Sequence, residues 1–138
     1  MLSALILGLL ASSPAVAGKK AADDCLKTKI WERYGDGWQI RASSGSELAL
    51  GKTKYYRITL LKGQRYQVLT CADESVEDLD ILLYDSKGLL LHRDDTTSRE
   101  PVLSYEAQVT GVYYAVLYMR GLKQESADAY ASMALIHN

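Results

Sequence analysis

Phenylalanine is absent from the 138-residue sequence, and cysteine, histidine and proline occur only twice each. Two histidines and two cysteines are too few for a zinc centre once the cysteines pair, because zinc takes three or four protein ligands. Catalytic signatures such as Gly-x-Ser-x-Gly, His-Glu-x-x-His and the phosphate-binding loop are also missing from the sequence. These absences argue against an enzyme, and we do not assign a catalytic role to His92 or His137.

The charge balance is close to neutral, with 16 basic and 17 acidic residues and a formal net charge of −1. Domains that bind nucleic acid usually carry a marked basic excess, so this balance gives no reason to expect a nucleic-acid partner. The length suits one domain with a modest hydrophobic core.

The first 17 residues carry no charged side chain and have the pattern of a secretion signal. The apolar run from Leu2 to Ala11 is too short to cross a bilayer, which takes about 20 residues. Ala15-Val16-Ala17 is the small-x-small pattern at which signal peptidases cut. We predict a signal peptide over residues 1–17 and a mature chain that begins near Gly18. The mature protein would then be periplasmic or extracellular, with no stable membrane insertion.

Cys25 and Cys71 are the only cysteines, and an exported protein meets an oxidising environment. We therefore predict a Cys25–Cys71 disulfide. A redox role would need a nearby partner, as in Cys-x-x-Cys, and the sequence has none.

From residue 47 onward, short apolar segments alternate with turn residues, which is typical of β-strands. We predict a turn at residues 43–46 and a hairpin through Lys62-Gly63-Gln64. The predicted strands are residues 47–50, 54–61, 65–71, 79–84, 89–93, 101–107, 112–119 and 129–137. About eight strands at this spacing predict an all-β protein, namely a jelly-roll-like antiparallel β-sandwich.

Residues 24–34 are compatible with two structures. Leu26, Ile30 and Tyr34 recur every four residues, as on one face of a short amphipathic helix that ends at Gly35. The alternative is a strand over residues 28–34 that turns through Gly35-Asp36-Gly37 into residues 38–42. The sequence does not decide between an N-terminal helix and an N-terminal strand.

Four aromatic residues are candidates for ligand binding, namely Trp31, Trp38, Tyr113 and Tyr118. The two tryptophans flank a Gly-Asp-Gly turn, where they could form a platform for sugars. Buried tryptophan is the commoner outcome, however, and we expect both to pack in or over the core. The tyrosines lie on a strand that is apolar on both faces, so a row of hydroxyls there could meet either a ligand or water.

Three segments together resemble bacterial pre-peptidase C-terminal domains. The segment Tyr56 to Tyr66 resembles their Y-x-(V/I)-x-L-x-x-G-x-x-Y hairpin, and Asp78 to Gly88 resembles their D-x-D-(L/I)-x-L-Y-(D/N)-x-x-G strand and turn. The segment Thr110 to Val116 is similar to their (S/T)-G-x-Y-Y-(V/I)-x-V strand. The resemblance covers roughly residues 51–119. It implies one jelly-roll-like, generally non-catalytic domain over residues 18–138, with an N-terminal extension over residues 18–50.

Some members of that family bind calcium or extracellular polymers, and acidic residues in this chain offer a candidate calcium site. Asp78 and Asp80 stand at the entry of one predicted strand, and Asp94 and Asp95 lie in a later loop. Calcium takes six to eight oxygen ligands, which two converging loops of a sandwich could supply. The alternative is that these residues cap turns and protect strand edges. The sequence leaves both alternatives open: no cofactor is firmly implied, and calcium is the candidate ion, with Asp78, Asp80, Asp94 and Asp95 as its candidate ligands.

Three classes of function remain after these exclusions. The favoured one is an exported non-catalytic module that binds a cell-envelope or extracellular polymer or protein. The second is a small periplasmic inhibitor or immunity-type protein that blocks an enzyme. The third is a calcium-binding structural module.

Overall fold

The structure is a computed structural model that describes the backbone of residues 14–124 and 129–138, and side chains from residue 18 onward in those ranges. Most of the predicted signal peptide, residues 1–13, lies outside the described residues. The elements are α1 Pro14–Gly35, β1 Gln39–Glu47, β2 Thr53–Leu60, β3 Arg65–Ala72, β4 Val76–Asp85, β5 Leu90–Asp94, β6 Val102–Glu106, β7 Gly111–Leu122 and β8 Tyr130–His137.

Two four-stranded antiparallel sheets face each other, which confirms the predicted all-β sandwich. One sheet has the strand order β1-β8-β3-β6 and is called the covered sheet, because α1 packs against it. The other has the order β2-β7-β4-β5 and is called the open sheet. Successive side chains of a strand point to opposite faces, so alternate residues such as Leu79, Ile81 and Leu83 of β4 enter the core between the sheets.

The predicted hairpin between β2 and β3 is wrong, because the two strands belong to different sheets. Strand β2 pairs with β7, whereas β3 pairs with β6 and β8. The tight turn itself is present, and Gly63 has the positive φ of 80° that glycine tolerates. Leu60 and Tyr66 are both buried in the core on either side of it, and the Tyr66 hydroxyl accepts a hydrogen bond from Leu61 N at 2.9 Å. The turn is therefore a corner between the sheets, and its local sequence does not distinguish a corner from a hairpin.

The predicted turn at residues 43–46 and the predicted strand at 47–50 are also wrong. Residues 39–47 form one edge strand that pairs along β8. A Cβ atom at Gly45 would come within 2.7 Å of the Tyr130 ring, so the glycine is needed for close approach of the two strands. Pairing with a buried central strand thus outweighs the turn preference of the Ser-Ser-Gly-Ser segment.

Residues 24–34 are helical, within a longer helix of 22 residues that begins at Pro14. The helix ends where Gly37, with a φ of 90°, donates to the Tyr34 carbonyl at 3.1 Å. One side of α1 packs on the outer face of the covered sheet. There it forms a second small core made of Leu26, Leu69, Cys71, Ala134 and Ile136.

The Cys25–Cys71 disulfide is present and joins α1 to β3, with 5.9 Å between the two Cα atoms. The central strands β3 and β8 of the covered sheet are therefore buried on both faces, by the sandwich core on one side and by the helix on the other. As a result every residue of β8 from Tyr130 to Ile136 is buried. Among the described residues, no helix combines the length and apolar character needed to span a bilayer.

Candidate binding surfaces

A groove of about 370 Å³ lies between the last turns of α1 and the start of β1. We call it the aromatic groove. Its walls are formed by Trp31, Tyr34 and Trp38 together with Ile30, Ile40 and Ile136. The helix and the first strand bring these residues together because the chain reverses at Gly35 to Gly37, immediately after the helix.

Large apolar side chains around the aromatic groove are exposed to solvent. Trp31 is 71% exposed, Tyr34 is 63% exposed and Ile40 is 50% exposed. The expectation that Trp31 packs in or over the core is therefore wrong. It follows Ile30, which packs on the second core, and one residue further turns a helical side chain by about 100°. Trp31 and Tyr34 contact each other edge to face, with 5.9 Å between their ring centroids.

Two arginines stand at the rim of the aromatic groove. The Arg65 guanidinium lies 5.9 Å from the centre of the Trp38 ring, in a cation–π arrangement. Arg33 is held by a hydrogen bond from its Nε to Gln67 Oε1, 3.0 Å long. The groove thus offers aromatic walls with two positioned cations beside them.

The outer face of the open sheet forms a second exposed surface. Tyr84, Tyr114 and Tyr118 each lie next to buried residues, and Tyr55 lies next to Tyr56, which packs against the core, so all four point away from the core. We call this surface the tyrosine face. Helix α1 packs against β1, β3 and β8, all of which belong to the covered sheet.

Side chains on the tyrosine face contact one another across the strands. The rings of Tyr55 and Tyr114 lie 6.1 Å apart, and Tyr84 is the cross-strand partner of Tyr114. The Arg120 guanidinium lies 5.3 Å from the centre of the Tyr118 ring. A cavity of about 220 Å³ beside Tyr118 is lined in part by Asp80, Arg93 and Arg120. The lining of this cavity is more polar than that of the aromatic groove.

The four aromatic candidates from the sequence occupy three different places. Trp31 and Trp38 meet in the aromatic groove, and Tyr118 lies on the tyrosine face. Tyr113 is 5% exposed in the sandwich core, where its hydroxyl donates to the Val109 carbonyl. Tyr55 was not among the predicted ligand-binding residues, although the alternation of outward Tyr55 with inward Tyr56 could have indicated it.

Asp78 and Asp80 lie side by side where β4 bulges against β7. Asp80 is 2% exposed, and its Oδ2 accepts a 2.7 Å hydrogen bond from Arg120 Nε. The Oδ1 atoms of both aspartates are buried without a hydrogen-bond partner among the described residues. Burial, and next the charge of Asp80, raises the pKa of the Asp78 carboxyl above its ordinary value. These two carboxyl groups are therefore a sheltered pair with unused oxygen atoms.

Asp94 and Asp95 are engaged in other interactions. Asp94 accepts hydrogen bonds from Thr96 N at 3.1 Å, Thr96 Oγ1 at 2.7 Å and Val102 N at 3.0 Å. Burial opposes its ionisation, but these hydrogen bonds outweigh burial and lower the pKa of Asp94. Asp95 forms an ion pair with Arg93 at 3.3 Å. In the described ranges, the predicted calcium ligands do not form a group of three with oxygens all within 4.8 Å of one another.

A third feature is one end of the sandwich, where a cavity of about 360 Å³ opens between the turns at residues 85–88 and 108–111. We call it the loop end. Leu89 is 62% exposed and Val109 is 66% exposed there. The turns are fastened, since Lys62 N donates to Thr110 Oγ1 at 2.8 Å and Leu89 N donates to Asp85 Oδ1 at 2.9 Å.

No protein-family model matches the chain, and no curated protein matches it either. Solved structures do share the fold. PliG of Aeromonas hydrophila, a periplasmic inhibitor of g-type lysozyme, is 12% identical with a TM-score of 0.53, and the match covers 70% of this chain and 85% of PliG. The pre-peptidase C-terminal domain of a Bacillus anthracis collagenase is 11% identical with a TM-score of 0.55, covering 70% of this chain and 89% of that domain. At these identities the chain is similar to both proteins in fold alone.

Proposed function

We propose that this protein is an exported, non-catalytic binding module that holds another protein through the aromatic groove. The observation that carries the proposal is the concentration of exposed Trp31, Tyr34 and Ile40 around one concave surface. Tryptophan, tyrosine and arginine are the residues most enriched at the energetic centres of protein interfaces. An exposed apolar cluster of this kind costs solubility and is typical of a surface that a partner covers.

The chemistry of the groove favours a protein over a polysaccharide. Its lining is almost entirely apolar, with arginines only at the rim, so it suits one or two apolar side chains flanked by acidic groups. The disulfide and the predicted signal peptide both fit an exported protein. Because PliG inhibits g-type lysozyme, a g-type lysozyme is the first partner to try.

A pull-down from a bacterial envelope extract, followed by affinity measurement on the recovered protein, tests the proposal. We expect one stoichiometric protein, or the lysozyme itself, to bind. Trp31→Ala should weaken that binding by about 30-fold or more, as expected for a hot-spot residue. Tyr55→Ala is the matched control, because Tyr55 is similarly exposed at 67% but lies on the tyrosine face. Equal loss in both variants, or no loss in Trp31→Ala, would contradict a role for the groove.

A polymer ligand is the second candidate, and the tyrosine face favours it. Four tyrosines beside Arg57, Arg93 and Arg120 on a sheet surface offer stacking and charge to a long polar chain. Co-sedimentation with insoluble envelope polymer measures this binding. Tyr114→Ala with Tyr118→Ala should abolish co-sedimentation, whereas Trp31→Ala should leave it unchanged. The reverse pattern would exclude the tyrosine face.

Inhibition of an enzyme is a more specific kind of protein binding, and the loop end is the feature that favours it. Turns that are held by hydrogen bonds and carry exposed apolar residues suit insertion into the cleft of an enzyme. Leu89→Asp together with Val109→Asp should abolish inhibition of a g-type lysozyme if the loop end enters the cleft. Inhibition that depends instead on Trp31 would assign it to the aromatic groove.

Calcium binding stays a prediction, centred on the unused Oδ1 atoms of Asp78 and Asp80. Calorimetry on chelator-treated protein measures it. A calcium-binding module should release or absorb heat and gain thermal stability at millimolar calcium, and Asp80→Asn should remove both effects. No heat and no thermal shift in the wild type would end the prediction.

A further inference from the structure

Asp73, in the loop between β3 and β4, is a carboxylate that the fold has almost completely buried. It is 5% exposed. Its Oδ1 accepts hydrogen bonds from Ser75 N at 2.8 Å and from Ser75 Oγ, and its Oδ2 accepts one from Tyr130 N at 2.6 Å. Asp73 therefore ties its own loop to the first residue of β8.

The buried Asp73 carboxylate accepts hydrogen bonds, but no cation among the described residues forms an ion pair with it. Aspartate is rarely buried unless it is paired, because removing a charge from water is costly. None of the ion pairs among the described residues includes Asp73. Residues 1–17 and the Glu-Ser-Ala-Asp segment 125–128, whose side chains the structure does not describe, contain neither lysine nor arginine and so cannot supply a basic side chain.

Gly18 of α1 lies against the same carboxylate. A Cβ atom placed on Gly18 would stand 2.8 Å from Asp73 Oδ2 and 3.3 Å from its Cγ. The Gly18 nitrogen, one bond of about 1.46 Å from its Cα, is then within about 5.5 Å of Oδ2. Gly18 is also the residue that follows Ala15-Val16-Ala17, the predicted cleavage motif.

We propose that removal of the signal peptide creates the missing cation, and that the new α-ammonium group of Gly18 pairs with Asp73. Signal peptidase and one water molecule cleave the Ala17–Gly18 amide. Ala17 leaves as a carboxylate, and Gly18 retains the nitrogen as an ammonium group. Before cleavage that nitrogen is a neutral amide of the helix backbone, so the ion pair exists only in the mature protein.

The surroundings of Gly18 suit this switch in charge. Cleavage makes Gly18 the start of the helix, where free N–H groups and the helix dipole favour a nearby carboxylate. The next turn is already fixed to β8, because Asp23 accepts a hydrogen bond from Ser132 Oγ at 2.6 Å and the Lys19 Nζ lies 5.5 Å from the centre of the Tyr130 ring. The ion pair would join α1, the β3–β4 loop and β8 at one point.

Intact mass measurement of the full chain, expressed with its own leader in an exporting bacterium, gives the first test. We expect the mature protein to begin at Gly18. A mature chain that begins at any other residue would overturn the proposal.

A two-by-two comparison of melting temperatures gives the second test. Insertion of Ser-Thr between Ala17 and Gly18 keeps the cleavage motif and moves the new ammonium group by about 7 Å. We expect this insertion to lower the Tm by about 5 °C in the Asp73 background and to have no effect in an Asp73→Asn background. Asp24→Asn, which removes an exposed carboxylate of the same helix, should leave the effect of the insertion intact.

If Asp73→Asn does not fold, acetylation of the α-amino group of the mature protein replaces the comparison of melting temperatures. The acetylated mature protein should melt at the lower temperature of the insertion variant. An acetylated protein as stable as the free amine, or an insertion effect that persists without Asp73, would overturn the ion pair. Both results leave the aromatic groove untouched, so they test processing separately from binding.

Discussion

The outer faces of the two sheets differ in what covers them. The covered sheet carries α1, the disulfide and the second core, whereas no helix among the described residues packs against the tyrosine face of the open sheet. The reason lies in the central strands. Strand β8 is buried at every position from Tyr130 to Ile136, whereas β7 alternates buried Ala115 and Leu117 with outward Tyr114 and Tyr118. Tyrosine has a polar hydroxyl that water can solvate, so a face made of tyrosine does not need a cover.

The largest expected loss of stability comes from removing the disulfide that joins α1 to the covered sheet. Replacing Cys25 and Cys71 together with alanine removes a cross-link between residues 46 apart. In the chain-entropy description this lowers the free energy of unfolding by about 4 kcal/mol. Urea denaturation measures the change. Wild-type protein under reducing conditions is the control, and if it stays as stable as the oxidised form, the loss in the variant comes from packing.

The next effect compares one residue from each outer face. Leu69→Ala removes a fully buried side chain from the second core and should cost about 3 kcal/mol of stability. Tyr118→Ala, on the tyrosine face, should cost about 1 kcal/mol or less. Thermal and urea denaturation of both variants measure the difference. Similar losses would mean that the tyrosine face is as tightly packed as the helix-covered one.

A smaller effect comes from the sheltered carboxyl pair of the open sheet. The pKa of Asp78 is raised in the folded protein above its ordinary value of 3.8, so the protonated form favours folding. That contribution is complete below pH 3.8 and is lost as the pH rises through the raised pKa. We expect Asp78→Asn to remove this loss, so the variant gains stability relative to the wild type as the pH increases from 3.8 toward neutrality. Urea midpoints measured across that range test it, and parallel curves would contradict it.

The smallest expected change in stability is that of Trp31→Ala. Because Trp31 is 71% exposed, its removal should change the free energy of unfolding by less than about 0.5 kcal/mol. Partner binding should nevertheless fall sharply, as described above. Circular dichroism melts of the variant beside Leu26→Ala, from the buried side of the same helix, show whether the two sides of α1 have separate roles.

Strand positions were predictable where apolar alternation was strong. Strands β2 to β8 all lie within a few residues of their predicted positions. The prediction failed at residues 43–46, where small polar residues typical of a turn form an edge strand because β8 offers them partners. It failed again at the turn through Gly63, because the choice between hairpin and corner depends on which distant strands β2 and β3 pair with.

The candidate sites were predictable only in their residue types. Trp31 and Trp38 do lie at one surface, but Ile40 joins them only because the chain reverses after the helix. Tyr113 and Tyr118 lie on one strand, five residues apart, and an odd separation on a strand places them on opposite faces. The sequence contained that parity, whereas the burial of one face and the exposure of the other came from the packing of the sheets.

By itself, the sequence determined the sandwich class and the identity of the disulfide partners, because strand alternation and the presence of two cysteines are local or compositional properties. Only the tertiary structure decided which sheet is covered, that Trp31 faces solvent, and that Gly18 meets Asp73. These features depend on contacts between residues far apart in the chain. The chain has no phenylalanine, and tyrosine takes both aromatic roles. Tyr113 packs in the core, whereas Tyr55 is exposed to water, which its hydroxyl can hydrogen-bond.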